Sequence, residues 1–127
     1  MNEKILYEYA VIRIVPRVER EEFINAGLIL FAKKQKKILC KTFINQKKIA
    51  CYPEDTDMDL IKDNLASFEK IANGENCDSP IAALDEPSRF RWLTAAKSTI
   101  VQCSPVHPGL TDDVDAVFKK LFQKLVM

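Results

Sequence analysis

The chain has 127 residues, 47% apolar and 29% charged, with 19 basic against 18 acidic side chains and a formal net charge of +1. A chain of this length buries roughly two-thirds of the surface that its unfolded form exposes, so it holds a core without staples. The composition excludes a disordered tail, a collagen-like rod and a disulfide-dense miniprotein, the charge balance gives no sign of a strongly basic nucleic-acid binder, and no apolar run approaches the ~20 residues that span a bilayer.

In chain order, residues 6–15 are β-branched and aromatic up to Pro16, which predicts a first strand. Ala10, Ile12 and Ile14 are expected on its core face, and Tyr9, Val11, Arg13 and Val15 on the other. Residues 23–32 read as a second strand, apolar on both sides apart from Asn25 and Gly27 and therefore central and covered on both faces. Residues 37–45 read as a third strand after a lysine-rich turn. A stripe of Ile61, Leu65, Phe68 and Ala72 predicts a helix over 57–73, capped by Thr56 or Asp57 and stopped at Asn73-Gly74.

Ser79-Pro80 and Glu86-Pro87 each read as the start of a short helical turn. Residues 98–103 read as a fourth strand, and residues 104–109 as a rigid loop with two prolines. The last helix, 112–126, presents Val114, Val117, Phe118, Leu121, Phe122 and Leu125 on one face, with Thr111 as N-cap and acids in its first turn. Burying that stripe gains on the order of 10 kcal/mol before entropy is subtracted, so it is read as core and not as a membrane-surface element. The sum is one α+β domain over residues 1–127: a mainly antiparallel sheet of about four strands with two main helices packed on it.

The four cysteines, Cys40, Cys51, Cys77 and Cys103, are widely spaced with no C-x-x-C pair, and His107 is the only histidine. They read as separate thiols in a reducing compartment, with no metal site and no cofactor. The segment after Met1 runs straight into a strand-like pattern without a signal-peptide core, which points to a cytoplasmic protein.

Two polar clusters carry the chemistry. In the first, Arg13 and Asn25 sit inside apolar strands, where a cation and an amide need partners. Gly27, expected on the same face as Asn25, leaves room for a ligand, so Arg13, Asn25 and Gly27 are expected to floor a shallow pocket, with Arg17 nearby. The second cluster runs from Arg89 through Arg91 and Trp92 to Lys97 and Ser98, then Ser104 and His107, a set of donors suited to phosphate or carboxylate. The bland alternatives are a charge-compensated surface turn and a structural histidine. Lys33, Lys34, Lys36 and Lys37 form a third feature, read as a solvated strand edge against the alternative of a nucleic-acid patch. No phosphate-loop, dinucleotide, zincin or nucleophile-elbow motif is present.

The stretch Tyr7-Glu8-Tyr9-Ala10 through Arg13-x-x-Pro16-Arg17-x-Glu19-Arg20-Glu21-Glu22-x-x-Asn25-x-Gly27-x-x-Leu30 resembles the opening of the bacterial Domain of Unknown Function 3037 family (DUF3037). The stretch Arg89-Phe90-Arg91-Trp92-Leu93, Ser98-Thr99 and Ser104-Pro105-x-His107-x-Gly109-Leu110-Thr111 resembles its second signature, in the right order and separation. The likeness runs from about residue 7 to 126. It departs at Lys97, where arginine is expected, at Ala26, where valine is expected, and at Pro108, where a small polar residue is expected; Lys97 keeps the charge but loses the bidentate fork.

The resemblance implies no assigned reaction. It implies a small bacterial protein associated with genes for HipA-like kinases, hence an accessory or partner role. Three functional expectations follow. The first is a non-catalytic binding module in which Arg13, Arg17, Asn25, Gly27, Arg91, Ser98 and His107 receive an anionic small molecule or a protein partner, a HipA-like kinase among them. The second is a small enzyme acting on a phosphate-containing substrate, with His107 as acid or base, Arg13 and Arg91 stabilising charge, and Glu22 orienting the histidine. The third, nucleic-acid binding through the lysine hairpin, is disfavoured because few aromatics lie between the lysines.

Overall fold

The computed structural model describes residues 4–17, 22–45, 47–48, 52–75, 79–95 and 99–127. Five strands and three α-helices follow one another as β1 (Ile5–Ile14), β2 (Ile24–Ala32), β3 (Lys37–Thr42), α1 (Met58–Ala72), α2 (Glu86–Thr94), β4 (Val101–Cys103), β5 (His107–Thr111) and α3 (Val114–Leu125), with a short 3₁₀ turn at Pro80–Ala83 before α2. The class is the expected α+β with an antiparallel sheet.

The strand order is β3-β2-β1-β4, and β5 also pairs with β1. β2 takes one long edge of β1. The other edge is shared, β5 facing residues 5–9 and β4 facing residues 12–14. The alternation read from the sequence holds. Ala10, Ile12 and Ile14 face α1 and α2, where they pack with Ile61, Leu65, Phe68, Phe90 and Leu93. Tyr7, Val11, Leu28 and Leu30 face α3 and pack with Val114, Phe122 and Val126. The sheet is thus sandwiched between two helical layers, which is why β2 is apolar on both sides.

Three expectations of local structure are corrected. The Pro-rich stretch expected to be a loop holds β5: Gly109 lies opposite Tyr7, and a Cβ there would collide with the Tyr7 ring, so the glycine lets that ring lie flat across the strand. Glu86-Pro87 opens a nine-residue helix, α2, because Asp85 caps it by accepting from Ser88 N–H at 3.0 Å. The N-cap of α3 is Asp113, which accepts from Ala116 N–H at 3.1 Å, while Thr111 Oγ1 accepts from Asp113 N–H one step earlier. The early acids of α3 also tie it to the sheet through Lys4–Asp112 and Lys37–Asp115, each 2.9 Å. For α1, Asp57 is the cap, accepting from Leu60 N–H at 3.0 Å. No helix among the described residues is long and apolar enough to cross a membrane.

Candidate functional site

Register places the first cluster. Ile12 pairs with Gly27 but Arg13 pairs with Asn25, so Ala26 is an extra residue, a β-bulge in β2. A bulge reverses the side-chain alternation on its own strand. Asn25 therefore points to the α3 side with Arg13, and Gly27 to the α1 side. The expectation that Asn25 and Gly27 share a face is corrected by that one inserted residue. Gly27 serves packing: a Cβ there would stand 2.8 Å from the Lys41 carbonyl oxygen and 3.0 Å from Ile12 Cδ1.

Arg13 and Asn25 form a cross-strand pair under the C-terminal end of α3. Asn25 Nδ2 donates to the Leu125 carbonyl at 2.9 Å, which also fixes the amide's orientation, since the flipped form would set two oxygens together. The Arg13 guanidinium lies over the Phe23 ring, 3.9 Å from its centroid, with Phe23 49% exposed. Among the described residues no ion pair joins Arg13 to a carboxylate. Two atoms of the pair, Arg13 Nε and Asn25 Oδ1, are buried without a hydrogen-bond partner. A donor and an acceptor are thus left unmet on two paired residues, each at a desolvation cost of about 1–3 kcal/mol.

The other expected residues do not gather there. Arg17 lies past the end of β1, where Nη2 donates to Asp55 Oδ1 at 2.9 Å. Arg91 is exposed on α2, across the sheet from Arg13. Ser98 and Lys97 lie outside the described residues. His107 pairs with Tyr9, with ring centroids 5.4 Å apart. Tyr9 precedes Arg13 by four residues on β1, a separation of about 13 Å along the strand. Glu22 lies beyond the far end of that strand pair. The His107–Arg13–Glu22 arrangement required by the enzyme reading is therefore not assembled. Backbone pairing does join the two signature stretches, through Tyr9–His107 and Arg13–Gln102, but their guanidinium groups do not share one concave site.

The lysine hairpin is also different from an open basic patch. Lys33, Lys34 and Lys36 are exposed in the β2–β3 turn, but Lys37 is held by Asp115 and Lys41 lies over the Phe122 ring at 4.9 Å. Among the described residues no group of three His, Cys, Asp or Glu side chains is placed to hold a metal ion.

A feature that the sequence reading missed is a cleft of about 920 Å³ at the end of the sheet, between Pro16-Arg17, Glu22–Ile24 and the Tyr52–Asp55 segment. Nothing periodic marks Tyr52–Asp55, so only the fold reveals it as a wall.

The model of the family described as "Protein of unknown function (DUF3037)" matches residues 9–126, almost the whole chain. The chain belongs to this family. No curated protein and no solved structure gives a significant match. The signature residues of the DUF3037 resemblance thus fall into distinct structural roles: Arg13 and Asn25 at the unmet polar pair, Arg17 at the cleft, Gly27 and Gly109 at close approaches of the backbone.

Proposed function

We propose that this DUF3037 protein is a binding module without chemistry of its own, and that Arg13, Phe23 and Asn25 form its contact for a ligand or partner segment carrying a carboxylate beside an amide. The observation that carries this reading is the pair of unmet atoms. Arg13 Nε–H needs an acceptor and Asn25 Oδ1 needs a donor, and the two residues face each other across β1 and β2. A carboxylate next to an amide N–H matches both, once the side chains that cover the two atoms swing aside to admit it. The Phe23 ring lies 3.9 Å from the guanidinium and limits where it can move, and a guanidinium fork suits a planar anion. A protein partner offers this chemistry at an acidic residue or a chain terminus, and a HipA-like kinase is the partner class that the family association brings forward.

The test is a side-chain NMR titration of the full chain with N-acetylglycine, which has both groups, and with acetate, which has only one. The Arg13 Nε–H and Asn25 amide signals are expected to shift saturably, more tightly with N-acetylglycine, and to stop responding in Arg13→Ala. If neither signal moves at millimolar ligand, a bridging water completes the pair and the reading falls.

A further inference from the structure

We propose that the outer edge of β3 is a second, separate binding site, which adds an acidic β-strand of a partner protein to the sheet. β3 is an end strand, and among the described residues no strand pairs with its outer edge. Phe43 N–H donates to the Ala26 carbonyl at 2.7 Å, so the polar groups of Phe43 face β2. The register from Ala32–Lys37 to Gly27–Thr42 is unbroken, and alternation therefore turns the backbone groups of Thr42, Cys40 and Ile38 outward. Glu69 closes the first of these, its carboxylate accepting from Thr42 N–H and from Thr42 Oγ1 at 2.5 Å each. Ile38 and Cys40 are left presenting an N–H and a carbonyl each, two residues apart, which is the pattern that an added strand engages. Their side chains pack into the α1-side core and that of Leu39 on the α3 side, so the edge needs little reordering to receive one.

The charges select the strand. Lys37 and Lys41 flank Leu39 on the α3-side face of β3, and Lys33, Lys34 and Lys36 stand exposed in the adjoining turn. Asp115 offsets Lys37, but no carboxylate among the described residues pairs with Lys33, Lys34, Lys36 or Lys41. A strand laid beside β3 sets its own alternate side chains next to Lys37, Leu39 and Lys41, and acid, apolar, acid is the order that suits them. Edge lysines guard a sheet against unwanted pairing. Here they guard by sign. A second copy of this chain paired antiparallel about Leu39 sets lysine against lysine at both flanks, whereas an acidic strand meets no such repulsion. The open backbone groups call for a peptide and the lysines for carboxylates; a nucleic acid answers only the charge. The site shares no residue with the Arg13–Asn25 contact, and it stands if that reading falls.

The probe is the peptide Ac-Glu-Val-Leu-Val-Glu-NH2, titrated into the full chain by NMR. Its comparators are Ac-Lys-Val-Leu-Val-Lys-NH2, the Glu peptide with both valine nitrogens methylated, and oligothymidylate. Saturable shifts are expected at the Ile38 and Cys40 backbone amides, together with slower hydrogen exchange there, and weakened several-fold by Lys41→Gln and by raised salt. The Lys peptide and the methylated peptide, which keeps the charge but loses the donors, are each expected to bind several-fold more weakly. The proposal is overturned if the Glu peptide leaves these two amides unmoved or moves only the Arg13 and Asn25 signals, or if the Lys peptide or the methylated peptide binds as tightly. It is likewise overturned if oligothymidylate matches the Glu peptide at Ile38 and Cys40, which would make the edge a nucleic-acid surface.

Discussion

Val11 and Ser104 meet across the broken edge of the sheet through two hydrogen bonds. Val11 N–H donates to Ser104 Oγ at 2.8 Å, and the Val11 carbonyl accepts from Ser104 N–H, also at 2.8 Å. β4 and β5 lie on the same edge of β1 but are interrupted at Ser104-Pro105-Val106, where the backbone returns the Ser104 N–H to the Val11 carbonyl but sets no carbonyl against Val11 N–H. The serine hydroxyl takes the place of the missing carbonyl acceptor. Ser104 is 3% exposed, so water has no easy access to replace it. Ser104→Ala is expected to leave Val11 N–H buried and unpaired and to destabilise the protein by about 1–3 kcal/mol. Urea unfolding at fixed m-value measures this, and an unchanged midpoint would show that the hydroxyl is replaceable.

Gly27 marks the tightest approach inside the sheet. The Cβ of Gly27→Ala would press on the Lys41 carbonyl, which is backbone and cannot swing aside. Destabilisation of about 1–3 kcal/mol is expected, the usual range for overpacking a filled core. The same substitution is expected to leave ligand response at Arg13 intact, because the bulge at Ala26 puts Gly27 on the opposite face. Calorimetry and the N-acetylglycine titration together separate the two effects.

How legible these features were in the sequence follows the range of the forces behind them. Strand alternation in β1, the both-sided apolarity of β2 and the stripes of α1 and α3 are local patterns, and each was readable in advance. The Asp85 cap before Pro87 is equally local, but a proline at the first helical position suits a short turn as well as a helix, and it is the Asp85–Ser88 bond that extends the turn into α2. The faces of Asn25 and Gly27 depended on one inserted residue whose presence is decided by pairing with β1, and no spacing in β2 records it. Glu69 is similar. Its carboxylate accepts from both Thr42 N–H and Thr42 Oγ1, closing one position on the open edge of β3, yet the two residues are 27 apart in sequence. The cleft wall at Tyr52–Asp55 depends on the fold bringing Arg17 to Asp55 and Tyr52 into the α1-side core.

Cys40 offers a chemical check on the α1-side core. Burial pushes its thiol well above the ordinary range, and the nearby Glu69 carboxylate and Cys103 raise it further. The thiolate is the reactive form, so at neutral pH Cys40 is expected to stay protonated and to resist alkylation in the folded protein. Mass spectrometry after brief iodoacetamide treatment is expected to find Cys40 unmodified under native conditions and modified in urea. Rapid native labelling at Cys40 would mean that β3 and α1 separate readily.

Asp85 makes α2 sensitive to acid. Its carboxyl is held below the usual range by hydrogen bonding to Ser88, first through the side chain and then through the backbone N–H, with Arg89 and Arg91 adding smaller attraction. A carboxylate whose pKa falls on folding stabilises the folded state above its unfolded pKa, ~3.9, and that contribution disappears as pH drops through the lower, folded value. Asp85→Asn keeps an acceptor at the cap but carries no charge, so it has no such dependence. The wild-type protein is therefore expected to exceed Asp85→Asn in stability at neutral pH, with the gap closing on acidification below about pH 4. Because α2 delivers Phe90 and Leu93 to the core, the change is expected in the global urea midpoint as well as in local exchange of the α2 amides. A gap that stayed constant from neutral to acidic pH would show that the cap acts by shape alone and that its charge contributes nothing.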